Sequence, residues 1–208
     1  MLRENSVFIF LSGQEFMRCF LKGMIELKRC AWVNLKNPLY VKYHDEEWGR
    51  PLHDDQKLFE LLILETFQAG LSWECVLNKR EAFRKAYEDF DVDKVASFNE
   101  QKQAELLENP AIIRNKLKVK ASVQNAAVFK AIQKEFGSFD AYIWHFTEGK
   151  TIKEEYRRRT FSPLSDAVSG DLKKRGMKFV GTTVIYSYLQ SMGVINGHGD
   201  ECEASQES

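Results

Sequence analysis

Asp54-Asp55-Gln56-Lys57-Leu58-Phe59-Glu60-Leu61-Leu62-Ile63-Leu64-Glu65-Thr66-Phe67-Gln68-Ala69 decides the fold class of this chain. The two aspartates offer an N-cap. Leu58, Phe59, Leu61, Leu62, Ile63, Leu64 and Phe67 then occupy almost every side of a helix predicted over about 56–69. A helix that is apolar all round is buried, so other elements must surround it. Glu65 follows four apolar residues there, where an ionised carboxylate is costly unless something cationic pairs with it. Read alone, its simplest account is a side chain near a helix end that turns to solvent or caps a neighbouring turn.

Outward from this helix the signals remain helical. Ser72 caps a helix through Trp73, Val76, Leu77, Phe83 and Tyr87, and Asp91 starts a short one with Val92, Val95 and Phe98. Asn99 begins another that ends at Asn109-Pro110. Ile113, Leu117, Ala121, Val128 and Ile132 then mark a long helix closed by Gly137, and Ser138 caps a short aromatic one. The stretch 148–163 has no clear period and reads as a loop. Two last helices, over about 165–175 and 182–192, are each closed by a glycine. No strand-type alternation, repeat or low-complexity segment stands out, so the expectation is an all-α fold.

At 208 residues the chain supports one substantial core, hence one domain, expected over 29–202. Residues 203–208 read as a frayed tail and 1–28 as a disordered or untranslated leader, with Met24 an alternative start. Val7-Phe8-Ile9-Phe10-Leu11 is far shorter than the ~18 apolar residues a membrane span needs, and Glu4 does not suit a signal peptide. Cys19 and Cys75 fall in no paired pattern, so a reducing cytoplasm is expected. Lys plus Arg and Asp plus Glu number 30 each, which argues against bulk-charge binding of nucleic acid. Local basic clusters at 114–120 and 173–178 are read equally as solvated helix faces or as phosphate contacts.

Cys30 and His44 near one end, with His198 and Cys202 near the other, form a Cys2His2 set. Four such ligands make a closed tetrahedral zinc site that would staple the chain ends together. With four cysteines and four histidines in the chain, such spacings also arise by chance, and neither pair is a CxxC. Between the first two ligands lie Trp32, Tyr40 and Tyr43, with Trp48 just beyond, an aromatic crowding unlike a plain helical core.

This opening resembles that of the 3-methyladenine DNA glycosylase I family. The likeness continues in order through Leu58-Phe59-Glu60, Leu64-Glu65, Gln68-Ala69-Gly70-Leu71-Ser72-Trp73, Lys79-Arg80-Glu81, Ile112-Ile113-Arg114-Asn115, the run from Lys173 to Thr183, and His198 with Cys202. It implies a helix-hairpin-helix DNA glycosylase-like helical domain, with a zinc site of Cys30, His44, His198 and Cys202 joining the N- and C-terminal segments. It also implies a monofunctional enzyme that hydrolyses the N-glycosidic bond of 3-methyladenine in double-stranded DNA and acts as a monomer.

By the same resemblance Glu65 is the catalytic carboxylate, and Trp32, Tyr40, Tyr43, Trp48 and Trp73 line the damaged-base pocket, Trp48 and Tyr40 being the two best explained as structural. Trp73 and Trp32 are the expected stacking faces for a flipped base. Gly70-Leu71 would enter the gap in the duplex, Gly allowing close approach and Leu acting as an apolar wedge. The hairpin is expected at Asn109-Pro110-Ala111, with Arg114 and Lys178 on phosphates. Ala111 stands where the family usually has Gly, so a positive φ there would strain it.

No Asp follows the expected hairpin between Ala111 and Phe136, and none of Lys116, Lys118 and Lys120 matches a lyase nucleophile. A narrow range of labile cationic purines follows. A second reading is a zinc-stapled damage-binding module without turnover. A third, a hydrolase using metal-bound water, conflicts with four protein ligands, which leave no open position. His53 and His145 are expected to be ordinary surface or core residues.

Overall fold

Side-chain caps set most of the helix boundaries. The computed structural model describes residues 28–154 and 159–206. Asn37 caps α1 (Pro38–Glu46), Asp54 caps α2 (Asp55–Gln68) and Ser72 caps α3 (Trp73–Leu77). The chain then forms α4 (Arg80–Ala86), and Asp91 caps α5 (Val92–Ala96). Asn99 caps α6 (Glu100–Glu108), Asn115 caps the long α7 (Lys116–Phe136) and Ser138 caps α8 (Phe139–Trp144). Ser162 and Ser165 form a capping box at α9 (Pro163–Lys174), and α10 (Thr182–Ser191) follows.

α2 is the central helix: every residue from Leu58 to Phe67 is buried, and α3, α7, α8 and α10 pack around it. Phe59 meets Phe129 of α7 edge-on at 5.1 Å, and Phe129 stacks on Phe139 of α8 at 3.9 Å. Glu60, also buried on α2, is fully answered: Arg80 Nε donates to it at 2.6 Å and Arg84 Nε at 2.9 Å. Arg80 also bonds Glu47, so the network ties α2, α4 and the end of α1 together.

Several expectations are corrected. The helix expected from Ser72 through Tyr87 is two helices, broken at Asn78-Lys79. α1 was not legible as a helix. The expected loop over 148–163 contains β1 (Ile152–Lys153), which pairs in parallel with β2 (Ile195–Asn196); two-residue strands are too short to show alternation. Within the expected tail, Glu203–Gln206 is a 3-10 turn, and the Glu203 amide donates to Lys28 O at 3.0 Å. The leader, Met24 included, lies outside the described residues. Among the described residues no helix is long and apolar enough to cross a membrane.

Candidate functional site

Glu65, in the last turns of α2, is 3% exposed, and its Oε2 has no hydrogen-bond partner. Glu60 shows that this fold can satisfy a buried glutamate with two arginines; Glu65 receives none. Burial without a compensating cation pushes its carboxyl up to about 8, so it is mostly protonated at neutral pH. The phenols of Tyr40 and Tyr43 beside it are both raised, chiefly by burial, and an ionised Glu65 would raise them further. Tyr43 packs on Trp73 at 5.1 Å between centroids, and the buried Trp73 Nε1 also lacks a partner. This aromatic cluster thus brings together one unpaired acceptor and one unpaired donor. Such groups cost ~1–3 kcal/mol each when left unanswered.

α1 carries Tyr40, Tyr43 and His44, so it joins this aromatic cluster to a second cluster. The ligand atoms of Cys30, His44 and Cys202, all buried, lie within 4.8 Å of one another. The Cys202 Sγ to His44 Nε2 distance is 3.5 Å, the S···N edge of a tetrahedron with zinc-like bond lengths, roughly 3.5 Å. Burial lowers the pKa of His44 and takes that of His198 down to about 4, so both imidazoles are in the neutral, ligating form at pH 7. Burial raises the Cys30 thiol to about 11, a shift that a coordinated cation would reverse.

His198 lies beside this trio with its ring 5.1 Å from that of His44, and its Nε2 is buried without a partner. Each histidine is oriented through its other nitrogen, His44 Nδ1 on Asp45 Oδ1 at 2.8 Å and His198 Nδ1 on Asn196 Oδ1 at 2.9 Å. That arrangement is typical of metal-binding histidines, and the donor set fits a thiophilic divalent ion. Sequence reasoning did not find Asp45 and Asn196, although each sits within two residues of a ligand.

Trp48 packs against both histidines, 6.2 Å from His44 and 4.6 Å from His198, and so walls the ligand cluster. Trp32 bridges the two regions, 5.3 Å from both Tyr40 and His44. His53 pairs with Asp140, and His145 bonds Tyr142 O and stacks on Phe136; neither approaches the cluster.

Past α2 the chain turns through Gly70, at φ +81°, and presents Leu71, which is 43% exposed. The expected hairpin at Asn109-Pro110-Ala111 is exposed, but Asn115 already bonds the Leu117 and Lys118 amides at the following helix start. Ala111 is not among the positive-φ residues, so the expected strain is absent. Arg114 is exposed nearby.

A second hairpin, missed from sequence, joins the closely packed α9 and α10 over 175–181. Gly176 and Phe179 adopt φ +104° and +56°, and α10 starts at Gly181 without a side-chain cap. Lys173, Lys174 and Lys178 are exposed around it. The basic run Lys173-Lys174-Arg175, followed by Gly176 and Gly181 five residues apart, was the signal that could have found it.

A family model described as methyladenine glycosylase matches residues 32–206. The chain is 42% identical over 183 residues to DNA-3-methyladenine glycosylase 1 of Escherichia coli (strain K12), covering 85% of this chain and 96% of that protein. Among solved structures, 3-methyladenine DNA glycosylase I from Staphylococcus aureus aligns with TM-score 0.81 at 36% identity, over 86% of this chain and 96% of that one. A single-residue variant of 3-methyladenine DNA glycosylase I in complex with 3-methyladenine gives the same TM-score and identity over 85% of this chain and 96% of that one. Matched over most of its length and at these identities, the chain belongs to the methyladenine glycosylase family, among the 3-methyladenine DNA glycosylases I.

Proposed function

We infer that this chain is a monofunctional DNA glycosylase that removes 3-methyladenine from alkylated double-stranded DNA and leaves an abasic site. The observation that carries the reading is Glu65 Oε2, buried and unpartnered beside an aromatic cluster in which Trp73 Nε1 is also unpartnered. N3-methylation makes the base cationic and a good leaving group. A carboxyl that stays neutral without a ligand but ionises beside a cation suits that ligand and disfavours neutral bases.

Trp73 and Tyr43, with Trp32 at the rim, would receive the flipped base by stacking, and Glu65 would read its edge and stabilise positive charge as the bond lengthens. The C1′–N9 bond breaks with its electron pair passing to the base, which leaves as neutral 3-methyladenine. Water adds hydroxide to C1′ and releases a proton. Leu71 is placed to occupy the gap in the duplex. The 175–181 hairpin, with the uncapped start of α10 and its lysines, offers amides and charge to a phosphate. Arg114 adds charge beside the other hairpin.

Cys30, His44, His198 and Cys202 would hold one zinc ion. With four protein ligands, zinc supplies a cross-link between the chain ends and no activated water. No step requires a partner subunit, consistent with a monomer.

The test is incubation of purified protein with dimethyl-sulfate-treated duplex DNA, followed by chromatography of released bases. Free 3-methyladenine, with strands that break only after alkali, is the expected result. Binding without release would instead favour a damage-binding module, and strand cleavage without alkali would show lyase activity.

A further inference from the structure

One side chain of α7 reaches the loop that carries Leu71. Lys118, in the first turn of α7, is 6% exposed, and its Nζ donates to the carbonyls of Phe67 at 2.7 Å and Ala69 at 2.6 Å. These carbonyls close α2, just beyond Glu65 and just before Gly70-Leu71. A helix C-terminus leaves its last carbonyls unpaired and carries the negative end of the dipole, and a buried ammonium answers both.

The loop's other bonds are local: the Leu71 amide donates to Gln68 O at 2.6 Å, and Ser72 Oγ caps α3. A Cβ at Gly70 would meet nothing within 4 Å, so packing does not hold the loop tip. Two turns along α7, Asn125 brackets Lys178, accepting from its amide at 2.8 Å and donating to its carbonyl at 2.9 Å. Gln124 donates to Gly176 O at 2.7 Å. At ~1.5 Å rise per residue, the two holds lie roughly 10 Å apart on one helix.

We propose that Lys118 is a positioning residue for excision, fixing the Gly70-Leu71 segment relative to Glu65 and its aromatic neighbours and, along α7, to the 175–181 hairpin. The proposal rests on the reading of Leu71 as the inserting side chain. Lys118 does not touch the base: its ammonium protons are directed at carbonyls, which also removes it as a lyase nucleophile. Without it, the carbonyls of Phe67 and Ala69 lose their partner and the loop can swing, while the aromatic cluster around Glu65, built by α1, α3 and the body of α2, remains.

The experiment compares Lys118→Met, Lys118→Arg, Leu71→Ala and the Lys118→Met/Leu71→Ala double variant. It measures single-turnover excision from a 3-methyladenine duplex and affinity for free 3-methyladenine. Lys118→Met should slow duplex excision roughly tenfold or more while leaving free-base affinity within about twofold, and Lys118→Arg should recover most of the loss. Because both residues serve one step, the double variant should be scarcely slower than the slower single variant. Multiplying losses, or an equal fall in free-base affinity, would overturn the proposal. Unchanged excision by Leu71→Ala would remove the insertion reading itself and the proposal with it. Should Lys118→Met melt too low to assay, Lys118→Gln makes the same comparison.

Discussion

Replacing Glu65 with Gln keeps the side-chain shape and deletes the ionisable group. Two opposite consequences follow. In the folded protein the carboxyl is raised from 4.5 to about 8. Below pH 4.5 it is neutral folded or unfolded and costs nothing. As pH rises through that window the native state keeps a proton that the unfolded chain has lost, so stability falls, and the full cost is reached above about 8. At pH 7 the cost is at most ~3 kcal/mol, and Glu65→Gln recovers part of it, because the amide brings unpaired atoms of its own.

Excision should move the other way. Losing a charge-assisted hydrogen bond to the cationic base costs ~1.5–3 kcal/mol, a decrease of about 10- to 150-fold. Because the empty enzyme must ionise Glu65 to pair with a cation, kcat/KM of the parent should climb with pH toward a plateau above about 8, and the variant should lack that rise. Thermal melting at pH 5 and pH 8, with single-turnover excision across the same range, reads both effects. An unchanged excision rate and an unchanged pH profile in Glu65→Gln would refute the reasoning and make the carboxyl a structural residue.

Trp73→Ala should weaken binding of free 3-methyladenine by ~1–3 kcal/mol through loss of a stacking face, measured by calorimetry, without the pH signature of Glu65→Gln. Cys202→Ser should lower melting temperature and zinc content together while sparing some activity at low temperature; under half an equivalent of zinc in the native protein would dismiss the metal. Gly49→Ala should release metal to a chelator faster than the parent and melt lower, since φ is +73° and the new Cβ would lie 2.7 Å from His198 Cε1. Ala111→Gly should bring no gain in DNA affinity by fluorescence anisotropy and should cost ~0.4–1 kcal/mol of stability, because Ala111 needs no positive φ.

Caps and apolar runs are local, so they placed α2 and most helices after it but not the break at Asn78-Lys79, and by its neighbours alone Glu65 read as turned to solvent rather than buried. α1 escaped because its residues read as aromatic and ligand positions before they read as a period. Proline made Asn109-Pro110 conspicuous as a turn, yet Asn115 consumes the amides there, while the uncapped hairpin over 175–181 depends on a positive φ at Phe179 that no residue preference announces. The roles of Lys118 and Asn125 depend on partners about 50 residues away, and nothing beside them in the chain foretells those bonds. The difference between Glu60 and Glu65, two buried glutamates one helical turn and a residue apart, is likewise set by arginines from α4 that only the fold delivers.

The most direct test of the account is a crystal structure of the protein with 3-methyladenine bound. The account predicts the base between Trp73 and the α1 aromatics, with Glu65 Oε2 within hydrogen-bond distance of its polar edge and Trp73 Nε1 no longer unpaired. A base bound elsewhere, or Glu65 left without contact to it, would contradict the account.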